Sequence, residues 1–416
     1  MAVALRRLID VLRPGERVFA PGIAGESALL AEELRADPER AGDVHFISVQ
    51  FPGIDTLDYL DVHPRARLTA FFMSPSVRRE LASGRAALMG GEYASITHIL
   101  SHGSAVDLAI AHVSPPDEHG LCSPGISADF LPLVWARARR RIAHINPRMP
   151  RTQGSFRVAL DELDGYLEAD RPLLEYRDPP LGEADLRIAA HAAGLMRDGD
   201  TLQTGIGSVP LALGAALRGH RRLKVHSGMV THVVRHLAEA GALDPDARIT
   251  TGVALGDAAQ HEFAAHHRQL WFTDVGQTHD ITAVARIPRF IAVNSAVEVD
   301  LLGQVNSERV AGTLQAGAGG LPVYAQGAFL SPGGRLLICL RATAARGTVS
   351  RIVPGLDARA ICTVPRHLAD AVITEYGVAE LRGRSVEQRA MALIGIAAPE
   401  HRTALAEAWE RLHAGL

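Results

Sequence analysis

Two segments of the chain, one in each half, follow the same order of structural signals. Residues 12–25 and 195–207 each read as a helix end, a Pro-Gly or Asp-Gly turn, a short apolar strand and a glycine loop. A new helix is predicted directly after each loop, at 27–34 and at 210–217. Repetition of one such unit favours two duplicated α/β domains, although units of this kind also recur by chance in α/β proteins.

Further strand and helix patterns alternate along the chain. Seven short apolar runs, separated by segments of helical spacing, are predicted as strands and lie at 44–49, 68–72, 108–113, 223–226, 248–251, 290–293 and 336–340. This alternation is typical of mostly parallel sheets. We therefore predict an α/β fold of two open, mostly parallel domains related by an internal duplication. The proline-rich break at 178–182 predicts the boundary between a domain of residues 1–180 and one of residues 181–416.

The composition fits two domains with a large core and excludes several classes of function. Of the 416 residues, 47% are hydrophobic and only 5% are aromatic, which suits helices packed on sheets. Lys plus Arg (43) nearly balances Asp plus Glu (46), so the total charge indicates no nucleic-acid surface. Residues 1–20 contain no continuous apolar core, so we expect no signal peptide, and without a run of about 20 apolar residues we predict no membrane segment.

Cysteine usage points to a reducing compartment. Cys122, Cys339 and Cys362 show neither CxxC spacing nor a paired framework, so neither a zinc site nor a disulfide scaffold is indicated. Reduced cysteines are typical of the cytoplasm, which is the predicted location.

Two glycine-rich loops are candidates for ligand binding. Gly205-Ile206-Gly207-Ser208-Val209 follows a predicted strand and opens a helix, where free backbone N–H groups favour a phosphate or carboxylate. Taken alone, this loop is better explained as a plain strand-to-helix turn, because the dinucleotide fingerprint and the P-loop lysine are both missing. The run from Gly317 to Gly320 follows a polar strand exit, and three glycines in four residues favour close backbone approach to a ligand, with a plain flexible turn as the alternative.

Clustered histidines do not indicate a metal site. Residues 112–122 bring together two histidines, two acids and a cysteine, but the prolines and glycine there predict a tight turn in which Asp117 bonds local backbone. His232 and His236 stand one helical turn apart without the glutamate of a zinc-protease motif, so we interpret them as core or solvated side chains.

Taken in order, these pieces resemble the acetyl-CoA hydrolase/transferase family of class I CoA-transferases, with its 4-hydroxybutyrate, butyrate and succinate CoA-transferases. The resemblance covers nearly the whole chain through ordered blocks at 113–120, 146–152, 205–207, 294–308, 350–354 and 373–383. It implies domains of CoA-transferase type, an oxyanion site at Gly319 and Gly320, and coenzyme A as the bound part of an acyl-CoA substrate. The CoA contacts that it implies are Gly205, Ile206, Gly207, Ser208, Val209, Asn294 and Gly317.

The resemblance also implies where catalysis takes place. In this family a glutamate attacks the acyl-CoA thioester and forms a glutamyl-CoA intermediate. The corresponding stretch here reads Val225-His-Ser-Gly-Met229, so Gly228 stands at the position of that glutamate. A non-standard route would then rest on water activated by His226 or on acylation of Ser227. Neighbouring strand residues point to opposite faces, which argues against His226 and Ser227 acting as a pair.

We therefore predict an enzyme of acetate or acyl-CoA metabolism, either a CoA-transferase or an acyl-CoA hydrolase. Its partners would be an acyl-CoA and a carboxylate or other acceptor, with no metal, nucleic acid or membrane. Two alternatives stay open: an acyltransferase acting on a non-carboxylate acceptor, and a catalytically silent acyl-CoA-binding protein. Family likeness implies a homodimer or a higher homo-oligomer.

Overall fold

A computed structural model describes residues 2–415 and divides them into two compact units. The first unit contains residues up to 177 together with 228–231 and 248–278. The second contains 178–227, 232–247 and the residues from 279 onward. The chain first passes from the first unit to the second at residue 178, inside the predicted break at 178–182. Two later segments, 228–231 and 248–278, belong to the first unit again. The division into contiguous domains of residues 1–180 and 181–416 stays a prediction.

The first unit is built on an eight-stranded sheet in which every neighbouring pair is parallel. All six residues of Leu108–Val113 are buried, as expected for a parallel strand covered on both faces. In spatial order, the strands are Val3–Ala4, Gly165–Glu168, Arg140–Ile145, Leu108–Val113, Arg17–Phe19, His45–Ser48, Arg67–Ala70 and Ala86–Leu88.

Helices connect these strands, and side-chain caps fix where several of them begin. The Ser27 hydroxyl accepts the Leu30 N–H at the start of Ala28–Ala36, and Ser74 caps Pro75–Glu80 in the same way. The α-helices of this unit are Ala28–Ala36, Tyr59–Val62, Pro75–Glu80, Tyr93–His102, Leu131–Trp135, Ala258–His266 and Val275–Thr278. The smaller strand pairs are Leu121–Cys122 with Val158–Ala159, Met229–Val230 with Val253–Ala254, and Ile249–Thr251 with Leu270–Phe272.

In the second unit six strands lie side by side, and the first five run parallel. The sixth closes a hairpin through the short polar turn at 374–377. In spatial order these strands are Lys224–His226, Thr201–Thr204, Phe290–Ser295, Arg335–Cys339, Ala371–Thr374 and Gly377–Glu380.

Helices and short strands complete the second unit. A capping box between Ser385 and Gln388 starts the first of two C-terminal helices. The α-helices are Glu183–Ala193, Ser208–Ala216, His232–Glu239, Ile281–Ala285, Leu321–Leu330, Val386–Ile396 and Pro399–His413. The short strands are Glu298–Asp300, Val305–Asn306, Arg309–Val310, Thr313–Leu314, Thr343–Ala344, Val349–Ser350 and Ile352–Val353.

The two repeated segments adopt the predicted order of elements. Arg17–Phe19 leads through a glycine-containing loop into Ala28–Ala36, and Thr201–Thr204 leads into Ser208–Ala216. Both strands lie inside their sheets, with a neighbour on each side. The α/β class with mostly parallel sheets is confirmed, and the duplication remains an interpretation of this correspondence. Within residues 2–415, no helix combines the length and apolar character needed to cross a bilayer.

Candidate active site

Three neighbouring strands of the second unit end at the carboxyl edge of its sheet. Thr201–Thr204 lies between Lys224–His226 and Phe290–Ser295, and all three strands run in the same direction. The loop from Gly205, the residue His226 and the residue Asn294 therefore emerge side by side. Ligands of open α/β sheets bind in the crevice outside the carboxyl ends of the strands, so this edge is the place where the predicted residues converge.

The loop after Thr204 is shaped for close approach by a ligand. Gly207 has φ 117° and ψ −179°, a conformation that is essentially restricted to glycine, and it directly precedes the helix Ser208–Ala216. The first intrahelical hydrogen bond joins the Leu211 N–H to the Gly207 carbonyl, so the N–H groups of Ser208 and Val209 lie ahead of it. A Cβ placed on Gly205 or on Gly207 would meet nothing within 4 Å. The loop therefore borders open space beside N–H groups that favour an anion.

Asn294 is held by its neighbour in the sheet. Its side-chain Nδ2 donates to Oε1 of Gln203 at 2.8 Å, and Gln203 is buried. Because Gln203 and Asn294 lie on adjacent strands, this bond fixes the orientation of the Asn294 amide at the sheet edge.

A second group of residues lies around His279, which is near both His226 and the end of the glycine run. The buried His279 ring lies 4.6 Å from the Tyr324 ring, and Tyr324 lies one turn into the helix Leu321–Leu330. Gly320 precedes that helix and packs against His279. Burial, with a smaller contribution from nearby His226, lowers the pKa of His279 to about 3. His279 is therefore neutral at physiological pH, which suits it to donate or accept a hydrogen bond without carrying charge.

The predicted oxyanion residues stand directly before the same helix. Gly319 has a positive φ of 59°, and Gly320 is the residue from which Leu321–Leu330 begins. Gly317 is half-buried in the irregular segment that leads into this turn. The structure thus places Gly319 and Gly320 at a helix N-terminus, where backbone N–H groups point away from the helix.

Ser227 and Gly228 have different surroundings. Ser227 is 1% exposed, and its hydroxyl donates to the Thr204 carbonyl at 2.9 Å, which does not favour use of that oxygen as a nucleophile. Gly228 belongs to the first unit, where its carbonyl accepts the N–H groups of Gly252 and Val253 at 3.0 and 3.1 Å.

Comparisons with known proteins decide the family. Family models described as the acetyl-CoA hydrolase/transferase N-terminal and C-terminal domains match residues 3–172 and 256–409, and together they span more than half of the chain. The chain belongs to the acetyl-CoA hydrolase/transferase family. The 4-hydroxybutyrate coenzyme A transferase of Clostridium kluyveri is 35% identical over 346 residues, covering 82% of this chain and 81% of that protein.

Two further proteins align with almost the full length of this chain. The succinyl-CoA:cyclohexane-1-carboxylate CoA transferase of Geobacter metallireducens is 30% identical over 411 residues, covering 97% of this chain and 93% of that protein. The crystal structure of RipA from Yersinia pestis aligns with a TM-score of 0.88 and 26% identity, covering 97% of this chain and 96% of the other. The likeness therefore extends through both halves of the acetyl-CoA hydrolase/transferase family fold.

The segment at 112–122, which contains the family block at 113–120, is a turn fixed by Asp117. The Asp117 carboxylate accepts the N–H groups of His119 and Leu121 at 3.0 and 2.9 Å, as predicted. Burial raises the pKa of the Cys122 thiol to about 11, which disfavours the reactive thiolate. Among residues 2–415, no group of three or more metal-ligating side chains is positioned to hold an ion.

Sequence reasoning missed two residues whose unusual surroundings are seen only in the folded structure. His279 stands in Gln277-Thr-His-Asp280, where neither glycine nor periodicity marks it as special. Asp129 stands in an apolar stretch and has a positive φ of 39°, a backbone state that nothing in the sequence announces. Only the packing of distant segments distinguishes these two side chains from ordinary core residues.

Proposed function

We propose that the protein processes acyl-CoA thioesters, either by transferring CoA between carboxylic acids or by hydrolysing the thioester. It is an enzyme of the CoA-transferase and acetyl-CoA hydrolase kind, as its family membership and its relatives' names support. The observation that carries the proposal is the Gly205–Val209 loop. Its glycines border open space at the carboxyl edge of a parallel sheet, beside N–H groups that favour the anionic part of a ligand.

The proposed roles follow the geometry. The loop residues Gly205, Ile206, Gly207, Ser208 and Val209 bind the CoA carrier with Asn294 and Gly317. Backbone N–H groups at Gly319 and Gly320 polarise the thioester carbonyl, because preorganised donors stabilise developing negative charge. His226 and Ser227 are the side chains proposed to act next to them, and Gly228 supplies no nucleophile. The hydroxyl of Ser227 already donates to the Thr204 carbonyl, so His226 is the stronger candidate of the two.

A carboxylate at residue 228 is missing, which favours a route without a glutamyl-CoA intermediate. Backbone polarisation of the carbonyl alone retains a substantial rate when a nucleophile is lost. The enzyme would then pass the acyl group to water or directly to another acceptor. The two other functions that this arrangement supports are acyl transfer to a non-carboxylate acceptor and acyl-CoA binding without turnover.

We also propose a cytoplasmic location and a homo-oligomeric state, with a homodimer as the smallest form. All three cysteines are free, which supports a reducing compartment. The state in solution is directly measurable by light scattering coupled to gel filtration.

The test of function measures both possible products. The purified protein is incubated with acetyl-CoA, with and without succinate or butyrate, and free thiol and new acyl-CoA are quantified separately. Thiol release alone indicates hydrolysis, and a new acyl-CoA indicates transfer. Binding by calorimetry without turnover of acetyl-, butyryl- or succinyl-CoA would contradict an enzymatic role and favour the silent binding protein.

A paired substitution tests the CoA contacts. Gly317→Val adds a branched side chain where backbone approach to the ligand is proposed, and we expect CoA affinity to fall about tenfold, which is roughly 1.4 kcal/mol. Gly355→Val is the matched control, because residue 355 is an exposed glycine with open space around its Cβ position. Equal affinities of the two variants would remove Gly317 from the proposed site.

A further inference from the structure

Arg351 is a half-buried cation whose guanidinium group has no partner in the described part of the chain. It lies between two short strands of the second unit, Val349–Ser350 and Ile352–Val353. Among residues 2–415, no carboxylate, hydroxyl or carbonyl forms a hydrogen bond or an ion pair with this group. Arg389, which is also half-buried, donates to three backbone carbonyls. Because a partly buried charge without a partner is costly, an anion from outside the chain would stabilise Arg351.

A second guanidinium group, that of Arg341, lies near Arg351. The Arg351 N–H donates to the Ala342 carbonyl at 2.8 Å, which holds the two segments side by side. Burial, and after it the nearby positive charge of Arg341, lowers the pKa of Arg351. Two like charges at this range repel each other unless an anion lies close to both. The two arginines therefore concentrate positive charge on one small area of the second unit.

Arg341 is held in a fixed orientation by a buried carboxylate. Its Nε and Nη2 atoms donate to the two carboxyl oxygens of Asp185 at 3.0 and 2.7 Å. The Asp185 side chain is 1% exposed, whereas the Arg341 side chain is 50% exposed. The Nη1 atom of Arg341 has no hydrogen-bond partner among the residues that the structure describes. The bidentate pair thus fixes the guanidinium plane and leaves one nitrogen available to a ligand.

Asp185 also connects Arg341 to the loop that we propose binds CoA. Its carboxylate accepts the Gly182 N–H at 2.9 Å and a hydrogen bond from the Ser208 side chain. Ser208 belongs to the Gly205–Val209 loop and begins the helix that follows it. Burial alone would raise the pKa of Asp185, but the hydrogen bonds to its carboxylate, with that of Arg341 foremost, lower it. An ionised side chain therefore bridges Arg341 and the loop.

The sheet places Arg341 at the same edge as the proposed CoA contacts. Arg341 is two residues beyond the end of the strand Arg335–Cys339. That strand pairs in parallel with Phe290–Ser295, which carries Asn294 and pairs in turn with Thr201–Thr204. Since neighbouring strands lie about 4.8 Å apart, the ends of the two outer strands are separated by about 10 Å. A single extended ligand that contacts the glycine loop can therefore reach Arg341.

The carboxylates near the two arginines leave their remaining donors unused. The negative charge of Glu375 acts on both arginines, but its Oε2 accepts the Ala342 N–H at 2.8 Å. Within residues 2–415, Glu375 forms no ion pair with either arginine. Asp185 is already bound to Arg341 and to two groups of the chain around the loop. The donors of Arg351 and the Nη1 atom of Arg341 therefore stay available for an oxyanion.

We propose that Arg341 and Arg351 together bind an oxyanion of the substrate, either a phosphate of CoA or the second carboxylate of a dicarboxylic acyl group or acceptor. The planar guanidinium group matches both kinds of oxyanion and holds them by charge-assisted hydrogen bonds. Arg351 supplies unpaired donors, and Asp185 is a positioning residue that orients Arg341. The assignment rests on the proposed thioester function and deepens it, because it names a charged group of the substrate that the site selects.

The experiment compares Arg351→Gln with the unmodified protein at low salt, where exposed charges are least screened. Calorimetry measures the affinities for CoA and for dephospho-CoA, which lacks the phosphate on the ribose. Transfer assays from acetyl-CoA measure KM for succinate and for butyrate. Arg384→Gln is the matched control, because Arg384 is an exposed arginine that follows the antiparallel strand Gly377–Glu380 to the opposite edge of the same sheet. Each variant removes one positive charge.

The two sources of the oxyanion predict different results. If the site binds a phosphate, Arg351→Gln should lower CoA affinity about tenfold and leave both KM values unchanged. A smaller loss for dephospho-CoA than for CoA would identify the ribose phosphate, and an equal loss would identify the diphosphate. If the site binds a carboxylate, KM for succinate should rise about tenfold while CoA affinity and KM for butyrate stay the same. Equal affinities and equal KM values in Arg351→Gln and Arg384→Gln would overturn the site.

Stability measurements separate ligand binding from a structural role. Without ligand, Arg351→Gln should unfold at the same temperature as the unmodified protein or at a higher one, because it removes an unpaired, half-buried charge. A lower unfolding temperature together with unchanged ligand affinity would assign Arg351 a structural role and overturn the proposal.

A probe that needs no thioester chemistry separates this site from the proposed function. Inorganic pyrophosphate or succinate alone should raise the unfolding temperature of the unmodified protein and of Arg384→Gln more than that of Arg351→Gln. A protein that shows this difference but turns over no acyl-CoA would contradict the proposed function and leave the oxyanion site standing. A protein that turns over acyl-CoA equally well in both variants, with no difference in their response to either probe, would retain the function and overturn the oxyanion site.

Discussion

The Nε2 atom of His279 occupies the space that a side chain at Gly320 would need. A Cβ built on Gly320 would lie 2.4 Å from that nitrogen and 3.2 Å from the Tyr324 ring. Real Cβ atoms do not approach other atoms so closely, and the His279 ring is buried and packed on Tyr324. Packing against His279 therefore requires glycine at residue 320, although its φ of −86° and ψ of −9° are open to any residue.

Gly320→Ala should destabilise the protein and disturb the glycine turn. Forcing a methyl group into a packed site typically costs about 1–3 kcal/mol, and we expect a loss of that size in the free energy of unfolding measured with urea. Gly219→Ala is the control, since a Cβ at residue 219 meets nothing within 4 Å. If the two variants unfold at the same urea concentration, the contact with His279 does not constrain residue 320.

Gly207→Ala should be costly for a different reason, its backbone conformation. With φ 117° and ψ −179°, residue 207 is in a region that only glycine enters easily, and other residues lose about 1–3 kcal/mol there. Gly205→Ala is a close control, because its Cβ position is equally open and its φ is not in the positive range. We expect lower stability and weaker CoA binding for the first variant, measured by urea unfolding and calorimetry. Loss of stability in Gly205→Ala instead would contradict this reading of the loop.

The buried histidine predicts how stability changes with pH. Burial lowers the pKa of His279 to about 3, whereas the unfolded chain has the ordinary value of 6.5. Between these two pH values the unfolded state binds more protons, so the free energy of unfolding falls as the pH falls from about 6.5 toward 3. Each such group contributes a slope of up to about 1.4 kcal/mol per pH unit.

His279→Gln should reduce that slope, measured as urea unfolding free energies at pH 7.5, 6 and 5. The comparison of variant with unmodified protein matters here, because a carboxyl group with a raised pKa, such as Asp129, gives a slope of the opposite sign. His119→Gln is the control, since the His119 side chain is exposed. An identical slope in His279→Gln and in the unmodified protein would show that the imidazole is not kept neutral by burial.

The sequence was most informative where local patterns decide structure. The strand Leu108–Val113 coincides with its predicted apolar run, and the helix Glu183–Ala193 begins directly after the proline-rich break at 178–182. These elements follow from periodicity, turn residues and caps, which are local properties. Family blocks then added the order of the elements and the glycine loops.

What the sequence did not reveal depends on which distant segments pack together. Residues 228–231 and 248–278 lie in the first unit, although they follow the proline-rich break in the chain. The surroundings of Asp129 come from three segments more than 20 residues apart in sequence, so no spacing rule marks that carboxyl group. Likewise, His279 becomes special only because Gly320, 41 residues later, packs against its ring.

Gly228→Glu tests whether the missing carboxylate is what separates this protein from a glutamate-dependent route. A glutamate at residue 228 would restore the side chain that the family resemblance implies. We therefore expect CoA exchange between acetyl-CoA and labelled acetate to appear, or to rise at least about tenfold. A tenfold rise corresponds to roughly 1.4 kcal/mol of activation free energy. Gly228→Gln is the matched control, because it has the same size without the attacking oxygen. Mass spectrometry should then find a covalent CoA adduct on residue 228, and borohydride should release the CoA and leave an alcohol in place of the side-chain carboxyl group. A folded Gly228→Glu variant with no more exchange than Gly228→Gln would mean that residue 228 does not face the thioester.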